Sequence, residues 1–162
     1  LKDASLKVLF IGNSITLHGP CPSIGWTNNW GMAASAAEKD FVHIVTRGVE
    51  RHFNRKASVM VRNLADFERN YRTWDMTNLN EMVAFDPQVL VVALGENSPE
   101  LKTDADRKDY YEAYRRLFGK FLDGRRTKPL AAVRGVFWPN AAKDAAMAHL
   151  RRVARSAKSV AR

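Results

Sequence analysis

Four short apolar runs, each closed by a turn signal and separated by helical patterns, constrain this chain more than anything else in it. Leu6 to Ile11, Ser58 to Leu64, Val89 to Leu94 and Leu130 to Phe137 have the length and continuity of buried strands. Trp30 to Lys39 is alanine-rich and predicts a helix. Asp40 starts another that runs to about Phe53, with Phe41, Ile44, Val45, Val49 and Phe53 spaced for one buried face. Leu79 to Phe85 predicts a short helix stopped by Pro87. Thr103 with Asp106 has the pattern of a capping box, opening a helix whose face is Tyr110, Tyr114, Leu117, Phe118 and Phe121 and which ends at Gly124. Asn140 caps a last helix with Met147, Leu150, Val153, Ala154, Ala157 and Val160 inward. Such alternation predicts an α/β fold with a mostly parallel sheet, right-handed crossovers and helices on both faces. At 162 residues, without a linker-like tract, the expectation is a single domain, 1–162.

In open sheets of this kind ligands bind beyond the carboxyl ends of the strands. There the first run ends in Gly12-Asn13-Ser14 and the third in Gly95-Glu96-Asn97. A serine on a tight turn after a central strand is placed as a nucleophile. A carboxamide at the neighbouring strand end can stabilise the oxyanion of acyl transfer, an effect worth about 3 to 4 kcal/mol per donor. Taken singly, Ser14 reads equally well as a helix cap and Asn97 as a turn residue. Gly25-Trp26 and Trp30 follow the serine loop, where aromatic rings serve either as core or as a surface for a sugar.

These two blocks resemble the first and third blocks of the SGNH (GDSL-type) hydrolases, and the element order resembles that family over nearly the whole chain. The resemblance implies a three-layer α/β/α sandwich on a flavodoxin-like sheet. It makes Ser14 the nucleophile and gives the oxyanion to the Ser14 backbone N–H and Asn97, with Asn13, Gly95, Glu68, His18 and Trp26 around the pocket. In the family's second block a glycine stands five residues after the asparagine ending the second strand; here that asparagine is Asn63 and the position is Glu68. A backbone N–H remains there to serve as a donor. The carboxylate would oppose a developing oxyanion unless it points away or pairs, with Arg69 or Arg72 at hand. A solvent-facing loop position is expected for it.

The family's last block, Asp-x-x-His, supplies the base, and it has no counterpart after Phe137. His149 is the histidine in that region, preceded at three residues by Ala146, and stands as the weak base candidate; its place in the terminal helix favours a surface or packing role. Asp40-Phe41-Val42-His43 matches the pattern, yet Asp40 reads as an N-cap and a helix over 30–39 would carry it about 15 Å away. His18 is near in sequence but needs an orienting carboxylate. The expectation is therefore that a fifth strand and its Asp-x-x-His loop would follow Arg162.

The net charge is +9, with Lys143, Arg151, Arg152, Arg155, Lys158 and Arg162 near the end of the chain against Asp144. A solvated helix face accounts for that segment, so a nucleic-acid partner is not expected. No run approaches a membrane span, and the N-terminus lacks signal-peptide zones, although a chain starting at Leu1 is compatible with a removed leader. Cys21, the single cysteine, lies between Pro20 and Pro22 and shapes a loop. Histidines and carboxylates do not gather at ligand spacing, so neither metal nor organic cofactor is expected. The combined expectation is a serine esterase acting on a short acyl ester, acetyl included, with a carbohydrate as the carrier that the resemblance implies. The alternative is a flavodoxin-like binding module whose residues 12–16 cradle an anion through backbone N–H groups.

Overall fold

The computed structural model describes residues 5–159, with side chains through residue 152. Strands β1 (Leu6–Gly12), β2 (Ala57–Asn63), β3 (Val89–Ala93) and β4 (Leu130–Val133) form one sheet in the order β2-β1-β3-β4. Every pairing is parallel. The helices are α1 (Phe41–Phe53), α2 (Ala65–Asn70), α3 (Asn80–Ala84), α4 (Asp104–Leu122) and α5 (Ala141–Ser159). Among the described residues no helix is long and apolar enough to cross a membrane.

The period of two along each strand splits the core into two layers. Leu9, Ile11, Leu90 and Val92 face Phe67, Tyr114, Leu117, Phe121, Met147 and Leu150 from α2, α4 and α5. Val8 and Phe10 face the other way, onto Val42, Phe41 and Val45 of α1. Helices therefore cover both sides of the sheet in a three-layer α/β/α sandwich of flavodoxin-like order. The capping box at Thr103 forms as its sequence predicts, and the apolar face of α4 is fully buried.

Four local expectations are corrected. No α-helix forms over 30–39: Met32 N–H donates to Ser14 O at 3.0 Å, and Gly31 lies so close to Ile15 O that a Cβ would stand 2.1 Å from it. Tertiary contacts with the β1 turn override the helix propensity of those alanines, leaving only a 3-10 turn at Ala37–Lys39. On α1, Val42 is buried, whereas Ile44 and Phe53 are 50% and 39% exposed. The fourth strand ends at Val133, because the Arg134 to Phe137 segment turns to meet Glu96. Helix α2 was not expected at all. The inward positions Met147 and Leu150 on α5 are buried, while Val153, Ala154, Ala157 and Val160 fall outside the described side chains.

Burial pushes the Tyr110 and Tyr114 hydroxyls above their ordinary pKa of 10.0, and the charge of Glu68 adds to the shift. The folded chain thus keeps two protons that the unfolded chain releases above pH 10. We expect stability to be insensitive to these groups below that pH and to fall above it, by about 1.4 kcal/mol per pH unit for each tyrosine. Urea unfolding at pH 9, 10 and 11 checks this; a flat profile across that range would contradict the burial of the two rings.

Candidate functional site

Parallel register sets Gly12 beside Ala93 on one side and Asn63 on the other, so the turns after β1, β2 and β3 emerge at one edge. Gly12 is required for the first turn: a Cβ there would lie 1.8 Å from Thr16 Oγ1 and 3.0 Å from Ala93 O. Asn13 O then accepts from Thr16 N–H at 2.9 Å and Leu17 N–H at 3.1 Å, and Asn13 Oδ1 accepts from Ile15 N–H at 3.1 Å. Three successive amides are consumed in this way. The backbone N–H and hydroxyl of Ser14, half-buried, make no hydrogen bond among the described residues.

The turn after β3 is held from below and from the side. Gly95 adopts φ +131°, and a Cβ there would meet Val136 Cγ1 at 2.4 Å, so both backbone and packing demand glycine. Lys143, 6% exposed at the start of α5, donates to Gly95 O at 3.0 Å and to Ser98 O at 2.7 Å. Burial lowers its pKa, while Glu68 and Glu96 pull it back up.

Glu68 joins the two turns. Its Oε1 accepts from the Gly95 N–H and from Asn13 Nδ2 at 3.1 Å; its Oε2 accepts from Asn97 Nδ2 at 2.5 Å. The residue is 0% exposed, which corrects the solvent-facing expectation. Leu64 follows β2 as the N-cap residue of α2, whose first turn aims position 68 inward. Neither expected arginine pairs with it. Arg72 is held by Asp106 at 2.5 Å and Asp109 at 2.8 Å, and Arg69 is exposed. The backbone N–H of Glu68 donates to Leu64 O at 3.2 Å, so it is spent in the helix rather than offered to an oxyanion.

Glu96 extends the network. It accepts from Asn13 Nδ2 at 2.7 Å on one oxygen, and from Arg134 at 2.5 Å and Phe137 N–H at 3.2 Å on the other. Glu96, Arg134 and Lys143 were not singled out from sequence. Glu96 stands inside the Gly-Glu-Asn block, but nothing local marks Lys143 or Arg134, whose partners lie some forty residues away.

The histidines are placed as follows. His18 Nδ1–H donates to Gly19 O at 2.6 Å, a carbonyl that can only accept. Trp26 Nε1–H donates to His18 O at 3.0 Å, and its ring meets Trp30 edge-on at 5.8 Å, so Trp26 closes the loop over 18–30. His149 is exposed, edge-on to Tyr111 at 5.0 Å and beside Arg152, on the α4–α5 surface. Asp40 caps α1, and its Oδ1 accepts from His43 N–H at 2.8 Å and Nδ1–H at 2.7 Å. This pair is not carried away from the serine: Asp40 Oδ2 accepts from Gly31 N–H at 3.4 Å, and Gly31 packs on Ile15. No histidine or carboxylate hydrogen-bonds the Ser14 hydroxyl among the described residues.

No protein-family model, curated protein or solved structure matches this chain.

Glu68→Gln keeps the shape but turns an amide donor toward N–H groups that need an acceptor. A loss of about 1 to 3 kcal/mol is expected in urea unfolding. Wild-type stability for that variant would mean Glu68 does not hold the turns.

Proposed function

We propose that the chain is a serine esterase of the SGNH type, with Ser14 as nucleophile and an oxyanion hole made by the Ser14 N–H and the Asn97 carboxamide. One observation carries this reading. Glu68 takes one hydrogen of the Asn97 amide and so fixes its plane, while at the neighbouring strand end the Ser14 N–H and hydroxyl have no hydrogen-bond partner among the described residues. Preorganised donors cost no reorientation as charge develops on the carbonyl oxygen, which is why they lower the barrier. In the reaction Ser14 Oγ attacks the acyl carbon, the alcohol leaves, and water releases the acyl group from the serine. Short acyl esters, acetyl on a carbohydrate among them, are the substrate class that the resemblance supplies.

Because no base among the described residues is aligned on the hydroxyl, the expected turnover is slow. Oxyanion stabilisation and binding alone leave about 10³- to 10⁴-fold acceleration over water in serine hydrolases stripped of a triad member. The anion-cradle reading fits less well: the N–H groups of Ile15 and Thr16 are already engaged by Asn13, and Glu68 and Glu96 place two carboxylates beneath the same turn.

A fluorophosphonate probe should label Ser14, located by peptide mass spectrometry, and Ser14→Ala should lose both the label and the hydrolysis of p-nitrophenyl acetate. Labelling elsewhere, or turnover unchanged in that variant, would remove Ser14 from the mechanism. Asn97→Ala should lower kcat by about 10²- to 10³-fold with a smaller effect on KM.

A further inference from the structure

Next to the serine turn lies a cavity of about 200 Å³ whose walls include Ile15, Gly31, Ala34, Phe41, Ile44 and Phe137. Ile15 directly follows Ser14, and Met32, next to Gly31, is hydrogen-bonded to the Ser14 carbonyl. Ile15 is thus the wall of the cavity that adjoins Ser14 in the chain. Its polar members are Lys39 and Asp40, and the Asp40 carboxylate is already turned to His43 and Gly31. Two of its walls, Ile44 and Phe137, are 50% and 54% exposed, an uncommon cost for large apolar side chains that sit together.

We propose that this cavity is the acyl-chain site of the esterase, and that the preferred acyl group is a linear chain of about four to six carbons rather than acetyl. The inference rests on the proposed role of Ser14 and adds the substrate class. A volume of about 200 Å³ is more than an acetyl group fills and accommodates a short linear chain. An apolar lining offers an acetyl group little and a longer chain a gain with each methylene buried. One wall is also tied to the site: the Phe137 N–H donates to Glu96, which accepts from Asn13, and the Arg134 guanidinium lies 4.2 Å over the Phe137 ring. A chain resting on Phe137 thus leans on the network that holds the two catalytic turns.

The test compares p-nitrophenyl acetate, butyrate, hexanoate and octanoate on the wild-type chain, on Ala34→Trp and on Ile44→Gln. It also follows the isoleucine methyl NMR signals of the Ser14→Ala protein as sodium hexanoate is added. We expect kcat/KM to rise by about fourfold per methylene up to hexanoate and then level off. We expect the hexanoate-to-acetate ratio to collapse toward one in Ala34→Trp and to fall severalfold in Ile44→Gln, and the Ile15 and Ile44 methyl signals to move with hexanoate. Ala34 and Ile44 are not fully buried, so both variants should fold, which circular dichroism verifies. Equal kcat/KM from acetate to octanoate with Ser14 reactive would overturn the cavity assignment and leave the esterase reading standing. No ester turnover together with hexanoate shifts at Ile15 and Ile44 would uphold the cavity and overturn the esterase reading. Unmoved methyl signals would overturn the assignment whatever the turnover.

Discussion

A carboxylate removed from water needs donors to replace those it has lost, and in this chain the donors that Glu68 finds come from the two turns on which a reaction would depend. Desolvating an unpaired carboxylate costs several kcal/mol, which no single hydrogen bond offsets. Asn13, the Gly95 N–H and Asn97 together supply three bonds, with Lys143 and Arg134 nearby to temper the negative charge of Glu68 and Glu96. The constraint runs both ways. The turns cannot drift without stranding a buried charge, so Glu68 acts as a ruler between the ends of β1 and β3.

This arrangement changes what position 68 contributes. The motif resemblance supplies a backbone donor there, in which case the side chain would be incidental. Instead the N–H is used inside α2, and the side chain holds the Asn97 amide. In the proposed reading the oxyanion would consequently meet two donors, the Ser14 N–H and the Asn97 amide. The tight clamp on residues 95–98 by Lys143 makes the second of them rigid. Rigidity of that kind would favour the proposed acyl transfer, whereas the lack of an aligned base among the described residues would limit its rate.

Strands β1 and β3 were legible because buried parallel strands write themselves as continuous apolar runs; β2, an edge strand with no fully buried residue, lies like them within a residue of the expected bounds. Helix α4 was legible for a local reason too, since a capping box and a repeating aromatic face are both contained in its own sequence. The 30–39 segment was not, because what decides it is contact with Ser14 and Ile15 across the turn. Glu68 illustrates the same limit at the site. Its three partners stand 55, 27 and 29 residues away, so a charged side chain in a polar stretch read as solvent-facing. The blocks Gly12-Asn13-Ser14 and Gly95-Glu96-Asn97 emerge at one edge of the sheet, as their strand ends imply, but the groups that hold them, Lys143 and Arg134, carry no local mark.

The most direct measurement is a crystal structure of the chain after reaction with a small alkyl fluorophosphonate. The account predicts phosphorus bonded to Ser14 Oγ, with its phosphoryl oxygen about 2.7 to 3.1 Å from both the Ser14 backbone nitrogen and Asn97 Nδ2, and Glu68 still holding the other hydrogen of that amide. A phosphoryl oxygen facing solvent, or an Asn97 side chain turned away from it, would contradict the claim that Glu68 aims the two turns at one point.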